Sequence, residues 1–139
     1  MKKGMTIDQF KPDQTFEKQV TITEAMIKGF AEATGDNNPI HLDEAYAKGT
    51  LFKTRIAHGM LLAGILSGIL GMEFPGIGTI YLSQTLKFAK PVFIGDMITF
   101  RLKIIEINME KNRLRLENAC TNQEEKTVLI GEAIVMPPE

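Results

Sequence analysis

The sequence predicts an α+β fold, with one long apolar helix wrapped by a curved antiparallel sheet. From Met60 to Met72 every residue is apolar or glycine except Ser67, the make-up of a helix buried all round. Beyond Ile80 the pattern changes to period two and keeps it through several runs, as strands with one covered face do. A chain of 139 residues, 44% of them hydrophobic, suffices for one domain with its own core. Only the 60–72 stretch is apolar enough to cover that sheet face, which gives a layered arrangement over residues 1–139.

Residues 1–14 are polar and are expected to be a loose N-terminal extension. Phe16, Val20 and Ile22 alternate weakly and suggest a short strand. Thr21-Ile22-Thr23-Glu24 matches a capping box, so a helix is expected to start at Thr21. Met26, Ile27, Phe30 and Ala31 have helical spacing, and Gly35 is the expected C-cap. Asp43 can cap a short helix reaching Ala47, closed by Gly49. In the central helix Gly59, Gly64, Gly68 and Gly71 each cost helix propensity, which makes sense where a backbone lies close against a neighbour. After the Pro75-Gly76 turn, Ile80, Leu82, Leu86 and Phe88 alternate with Tyr81, Ser83, Thr85 and Lys87. Pro91 closes that strand and Gly95-Asp96 makes the next turn. Ile98 to Ile104, Leu114 to Leu116 and Thr127 to Met136 follow as strands, with Gly131 expected at a bulge.

Composition excludes several classes of function. A net charge of −1 and a pI near 6.1 give no electrostatic case for a nucleic acid or an anionic membrane. The apolar run is too short and too glycine-rich to span a bilayer, and no signal-peptide core follows Lys2 and Lys3. One cysteine, Cys120, rules out an internal disulfide and is expected to be a small core hydrophobe. A cytoplasmic location is expected.

Chemistry concentrates in Gly35-Asp36-Asn37-Asn38-Pro39-Ile40-His41-Leu42-Asp43. Asn38 precedes proline, so the backbone bends there and cannot continue the helix. A tight loop holding Asp36 and His41 can aim both at one point, the minimum for acid–base work. The plainer reading makes Asp36 an Asx-turn, Asp43 a cap and His41 a surface residue. His58 could be counted with Asp36 and His41 as a third metal ligand, but the spacings fit no zinc pattern and no metal is expected. A structural bond across the start of the central helix is the expectation for His58.

Three segments carry a family resemblance: Gly35 to Asp43, Ala57-His58-Gly59-Met60-Leu61, and Phe88-Ala89-Lys90-Pro91-Val92-Phe93-Ile94-Gly95-Asp96. From about residue 15 onward the chain resembles the MaoC-like dehydratases, the (R)-specific enoyl-CoA hydratases of hot-dog fold. It is most similar to short bacterial enzymes that supply (R)-3-hydroxyacyl-CoA for polyhydroxyalkanoate synthesis. The resemblance implies that Asp36 and His41 are the catalytic pair, holding a water that adds syn across C2=C3 of a trans-2-enoyl-CoA. It implies that the backbone N–H of Gly59 stabilises the thioester oxyanion and that the Ser67 hydroxyl helps to orient Asp36. A donor fixed beside the carbonyl is what such a reaction needs, and the first turn of a helix has free N–H groups to give. No cofactor is implied, because the thioester is itself the electron sink. Asn38, Lys87 and Lys90 are expected to contact substrate, with Lys53 and Arg55 as further candidates for coenzyme A phosphates. Leu66 and Leu70 are expected to floor the acyl pocket and favour short chains. A homodimer or higher homo-oligomer is implied, with the pocket at its interface.

Two other readings compete: a hot-dog thioesterase and a non-catalytic acyl-CoA sensor. The first usually places a carboxylate on or beside the central helix, which has none before Glu73; the second is expected to carry an added partner-binding segment. A dehydratase using acyl carrier protein thioesters is a closer alternative.

Overall fold

A computed structural model describes residues 1–139. The chain runs β1 (Thr15–Thr21), α1 (Glu24–Thr34), α2 (Pro39–Leu42), α3 (Glu44–Lys48), α4 (Gly59–Met72), β2 (Ile80–Gln84), β3 (Lys87–Phe88), β4 (Met97–Asn108), β5 (Arg113–Thr121) and β6 (Thr127–Met136). The strands pair antiparallel in the order β1-β4-β5-β6-β2, with β3 also on β6. Period two then sets the core. Ile98, Phe100, Leu102 and Ile104 of β4, with Leu114 and Leu116 of β5, are fully buried on the inner face. They meet Leu62, Leu66, Ile69 and Leu70 of α4 in one cluster. Each such side chain contributes about 1.5–3 kcal/mol by leaving water. Cys120 lies on the same inner face, 1% exposed, and burial pushes its thiol up to about 12.

Several local expectations are corrected. The N-terminal residues are docked: Gly4 and Met5 donate backbone N–H bonds to Ile77 and Pro75 (2.9 and 2.8 Å), and Phe10 packs edge-on against Phe74. Helix α1 is capped by Thr23, whose Oγ1 accepts from the Met26 N–H at 3.2 Å. Thr21 cannot cap it, because pairing holds the backbone extended to Thr21 and Ile22 then donates to the Asp96 carbonyl. The Ile80–Phe88 run breaks into β2 and β3 after a register shift between Tyr81 and Ser83, leaving Ile80, Leu82 and Phe88 exposed. Gly131 pairs regularly with Asn118; it is glycine because a Cβ there would strike the Thr85 carbonyl. Helix α4 is not buried all round, since Met60, Gly64, Ser67, Gly68 and Met72 form an open face. A Cβ at Gly64, Gly68 or Gly71 would meet nothing in this chain.

Candidate active site

Three segments meet at the N-terminal tip of α4. The first begins where α1 stops: Gly35 takes a left-handed φ of 78° and donates to the Ala31 carbonyl. Asp36 then forms the Asx-turn, its Oδ1 accepting from the Asn38 N–H at 3.3 Å, which leaves Oδ2 for the cavity. Asn38 caps α2 by accepting from the Ile40 N–H, with Pro39 in the first turn. Asp43 caps α3 through the Tyr46 N–H. The plainer reading of this loop therefore holds for Asp36 and Asp43 but not for His41, which is half-buried and lines a cavity.

The second segment leads into α4. Ala57 donates to the Val92 carbonyl at 2.7 Å, and Ile56 bridges Phe93, so the Phe88–Asp96 motif anchors the approach to the helix. Asp96 closes that strap, its carboxylate accepting from the Phe93 N–H and the Gln123 amide, both at 2.9 Å. Arg55 bonds Glu24 at 2.8 Å and lies 3.4 Å from Glu44, clasping α1 and α3. Those contacts, the Glu24 hydrogen bond foremost, raise the Arg55 pKa above its ordinary value. Arg55 is thereby committed to the scaffold and not to a phosphate.

His41 is half-buried, and its Nδ1 lies 2.8 Å from the Ile56 carbonyl. A carbonyl only accepts, so Nδ1 carries the hydrogen and Nε2 is left for the cavity. Beneath it lies His58, 2% exposed, with ring centroids 3.9 Å apart and planes at 28°. The His58 Nε2 donates to the Asp36 backbone carbonyl at 3.0 Å, the bond across the helix start that the sequence led one to expect.

Asp36, His41 and Gly59 line one cavity of about 480 Å³, walled on its apolar side by Phe52, Leu62, Phe88, Val92 and Val128 among others. Lys90 is the one lysine or arginine lining it. Gly59 opens α4, where N–H groups have no intrahelical partner and the helix dipole favours an anion. A Cβ at Gly59 would lie 2.7 Å from Phe88 Cε1, so any larger residue requires that ring to shift.

A carboxylate oxygen of Asp36 and ring nitrogens of His41 and His58 lie within 4.8 Å of one another. Two hydrogen bonds of roughly 2.8 Å meeting at one water oxygen span about 4.5 Å, which falls within this limit. With both hydrogens accepted, such a water presents a lone pair outward as a nucleophile.

Five expected residues are placed elsewhere. Ser67 lies eight residues beyond Gly59, about 12 Å along the axis, and is exposed, so it does not reach Asp36 within the chain. Leu66 and Leu70 are 1% exposed in the core and do not line the cavity; Leu62, one turn nearer the tip, does. Lys87 is exposed outside the cavity, and Asn38 spends its side chain on the cap. Sequence reasoning missed Phe88 as a wall over Gly59 and the Ile56 carbonyl behind His41. The first is a meeting of two distant segments, and a backbone carbonyl leaves no mark in the sequence.

A curled sheet whose helix tip faces a carboxylate–imidazole pair defines an acid–base enzyme of hot-dog fold. The chain belongs to the MaoC-like dehydratase family, since the MaoC like domain model matches residues 8–128. It is 48% identical over 118 residues to a 3-hydroxybutyryl-CoA dehydratase of Methylorubrum extorquens, covering 85% of this chain and 74% of that protein. It is 44% identical over 131 residues to an (R)-specific enoyl-CoA hydratase of Rhodospirillum rubrum, covering 94% and 90%. The unliganded R-hydratase PhaJ1 from Pseudomonas aeruginosa superposes with a TM-score of 0.93 at 43% identity, over 98% of this chain and 87% of that one. With these relatives, the chain is a hydro-lyase of the hydratase/dehydratase class.

Proposed function

We propose that the chain adds water to short-chain trans-2-enoyl-CoA, giving (R)-3-hydroxyacyl-CoA, and runs the same path backwards as a dehydratase. Asp36 and His41 hold the water and take its proton as oxygen attacks C3. The electrons move through C2 to the thioester oxygen, which rests against the Gly59 N–H. The pair then returns a proton to C2 on the same face. No metal or redox cofactor enters the scheme. The observation that carries this reading is the meeting of an Asp36 carboxylate oxygen and a His41 ring nitrogen, no more than 4.8 Å apart, at the tip of α4.

Coenzyme A as carrier, and a chain near four carbons, follow the names of the relatives and the modest cavity. Lys90, the one lysine or arginine on the cavity wall, is the residue proposed to meet a carrier phosphate. A homodimer is proposed as the smallest active unit: β2 is an open sheet edge with Ile80 and Leu82 exposed, and α4 offers its face with Ser67. Ser67 would then act from a second copy. The location proposed is the cytoplasm; no helix is long and apolar enough to cross a membrane.

The test is hydration of crotonyl-CoA, followed as loss of enoyl absorbance, with chiral analysis of the product. Asp36→Asn and His41→Gln are each expected to lower kcat by a factor of about 10² to 10⁴ while folding normally. An active Asp36→Asn enzyme removes the proposed base. Thiol release in place of hydration makes the protein a thioesterase.

A further inference from the structure

His58 is buried, yet it is not a satisfied core histidine. Its Nε2 carries a hydrogen to the Asp36 carbonyl, while Nδ1 is buried with no partner. Leucine or phenylalanine would fill the space without burying an unpaired atom. Something about the imidazole is therefore retained at a cost.

Its two contacts indicate what. Residues 34 to 39 are all exposed, so little packing holds the loop. From residues 35 to 38, the hydrogen bond to His58 is the only one that leaves the α1–α2 segment. The ring face of His58 lies between Phe30, centroid distance 4.8 Å, and His41, 3.9 Å. The titratable groups facing it are Asp36 from the loop and His41 from α2; α1 presents Phe30, and Lys90 stands at the cavity wall.

We propose that His58 is a positioning residue for the reaction: its N–H ties the Asp36 backbone to the tip of α4, and its ring face holds His41 with Nε2 toward the water. This rests on the reading of Asp36 and His41 as the reacting pair. The two jobs separate by substitution. His58→Gln keeps an N–H donor and loses the ring face, whereas His58→Phe keeps a ring face and loses the donor.

With crotonyl-CoA as probe, kcat is expected to fall by about ten- to a hundredfold in each variant, while KM stays within about threefold. The acid limb of the pH–rate profile moves in His58→Gln and stays in place in His58→Phe. A kcat within about twofold of wild type in both variants, or a loss carried wholly by KM, overturns the proposal. Should either variant fail to fold, ¹⁵N NMR of the unmodified protein decides. A His58 with hydrogen on Nε2 and a bare Nδ1 is expected; hydrogen on Nδ1 with a bare Nε2 overturns it. An unmodified enzyme inert toward crotonyl-CoA sinks the functional reading, and the NMR result then decides His58 alone.

Discussion

The two ends of α4 are built on different physics. At its N-terminal tip, His58 and Gly59 are held by hydrogen bonds, ring stacking and an aromatic wall, next to a loop that is exposed throughout. Farther along, Leu66, Ile69 and Leu70 are held by apolar burial against the sheet, with at most 2% of their surface exposed. Burial gives the far end most of the helix's stability, and this lets the tip present unpaired N–H groups and an orphan nitrogen. One element is thus both anchor and active surface, and the division falls near Leu62, which belongs to the core and to the cavity wall.

This division can be tested from both sides. The largest effect is expected from Leu66→Ala, which should cost about 2–5 kcal/mol in urea unfolding and leave kcat/KM per folded molecule unchanged. Loss of activity without loss of stability would move Leu66 back into the site. Gly59→Ala should do the reverse: its Cβ meets the Phe88 ring, which must shift within the cavity. A fall in kcat/KM of roughly tenfold, about 1.4 kcal/mol, is expected with an almost unchanged melting temperature. The smallest effect concerns the Arg55 clasp. Glu24 is held below its ordinary pKa chiefly by the hydrogen bond from Arg55, and Glu44 chiefly by one from Thr54. A lowered carboxylate pKa stabilises the fold above the ordinary glutamate value, and that contribution disappears as pH falls through the lowered one. Unfolding midpoints measured from about pH 6 to 3 should therefore fall less steeply in Arg55→Gln than in the parent. Identical slopes would show that the clasp contributes nothing.

Where the chain has a strong period, its fold was legible. The β4, β5 and β6 alternation and the α4 run left one solution, because a fully apolar helix and one-sided strands must cover each other. The loop was legible too: Asn38-Pro39 forces a bend, and the bend brings His41 to Asp36. What failed needed distances that residue types do not encode. Ser67 has the right chemistry, but eight residues of helical rise take it away from Asp36 of its own chain, so its proposed role passes to a second copy. Phe88 keeps the inward side of its strand, opposite the buried Leu129, but period two alone does not say that its ring ends over the backbone of Gly59. Residues 1–14 read as loose because polar letters outnumber Phe10, yet Gly4 lets the chain lie on the Pro75–Ile77 backbone, where a Cβ would come within 2.7 Å of Gly76.

The cavity wall also has two owners. Ala57, Leu62, Val92 and Val128 belong to the continuous core, whereas Phe52, Met60 and Phe88 stand outside it. Reshaping the outer three can retune which thioesters are admitted while the folded state keeps its margin, so selectivity in this molecule is free to drift where durability is not.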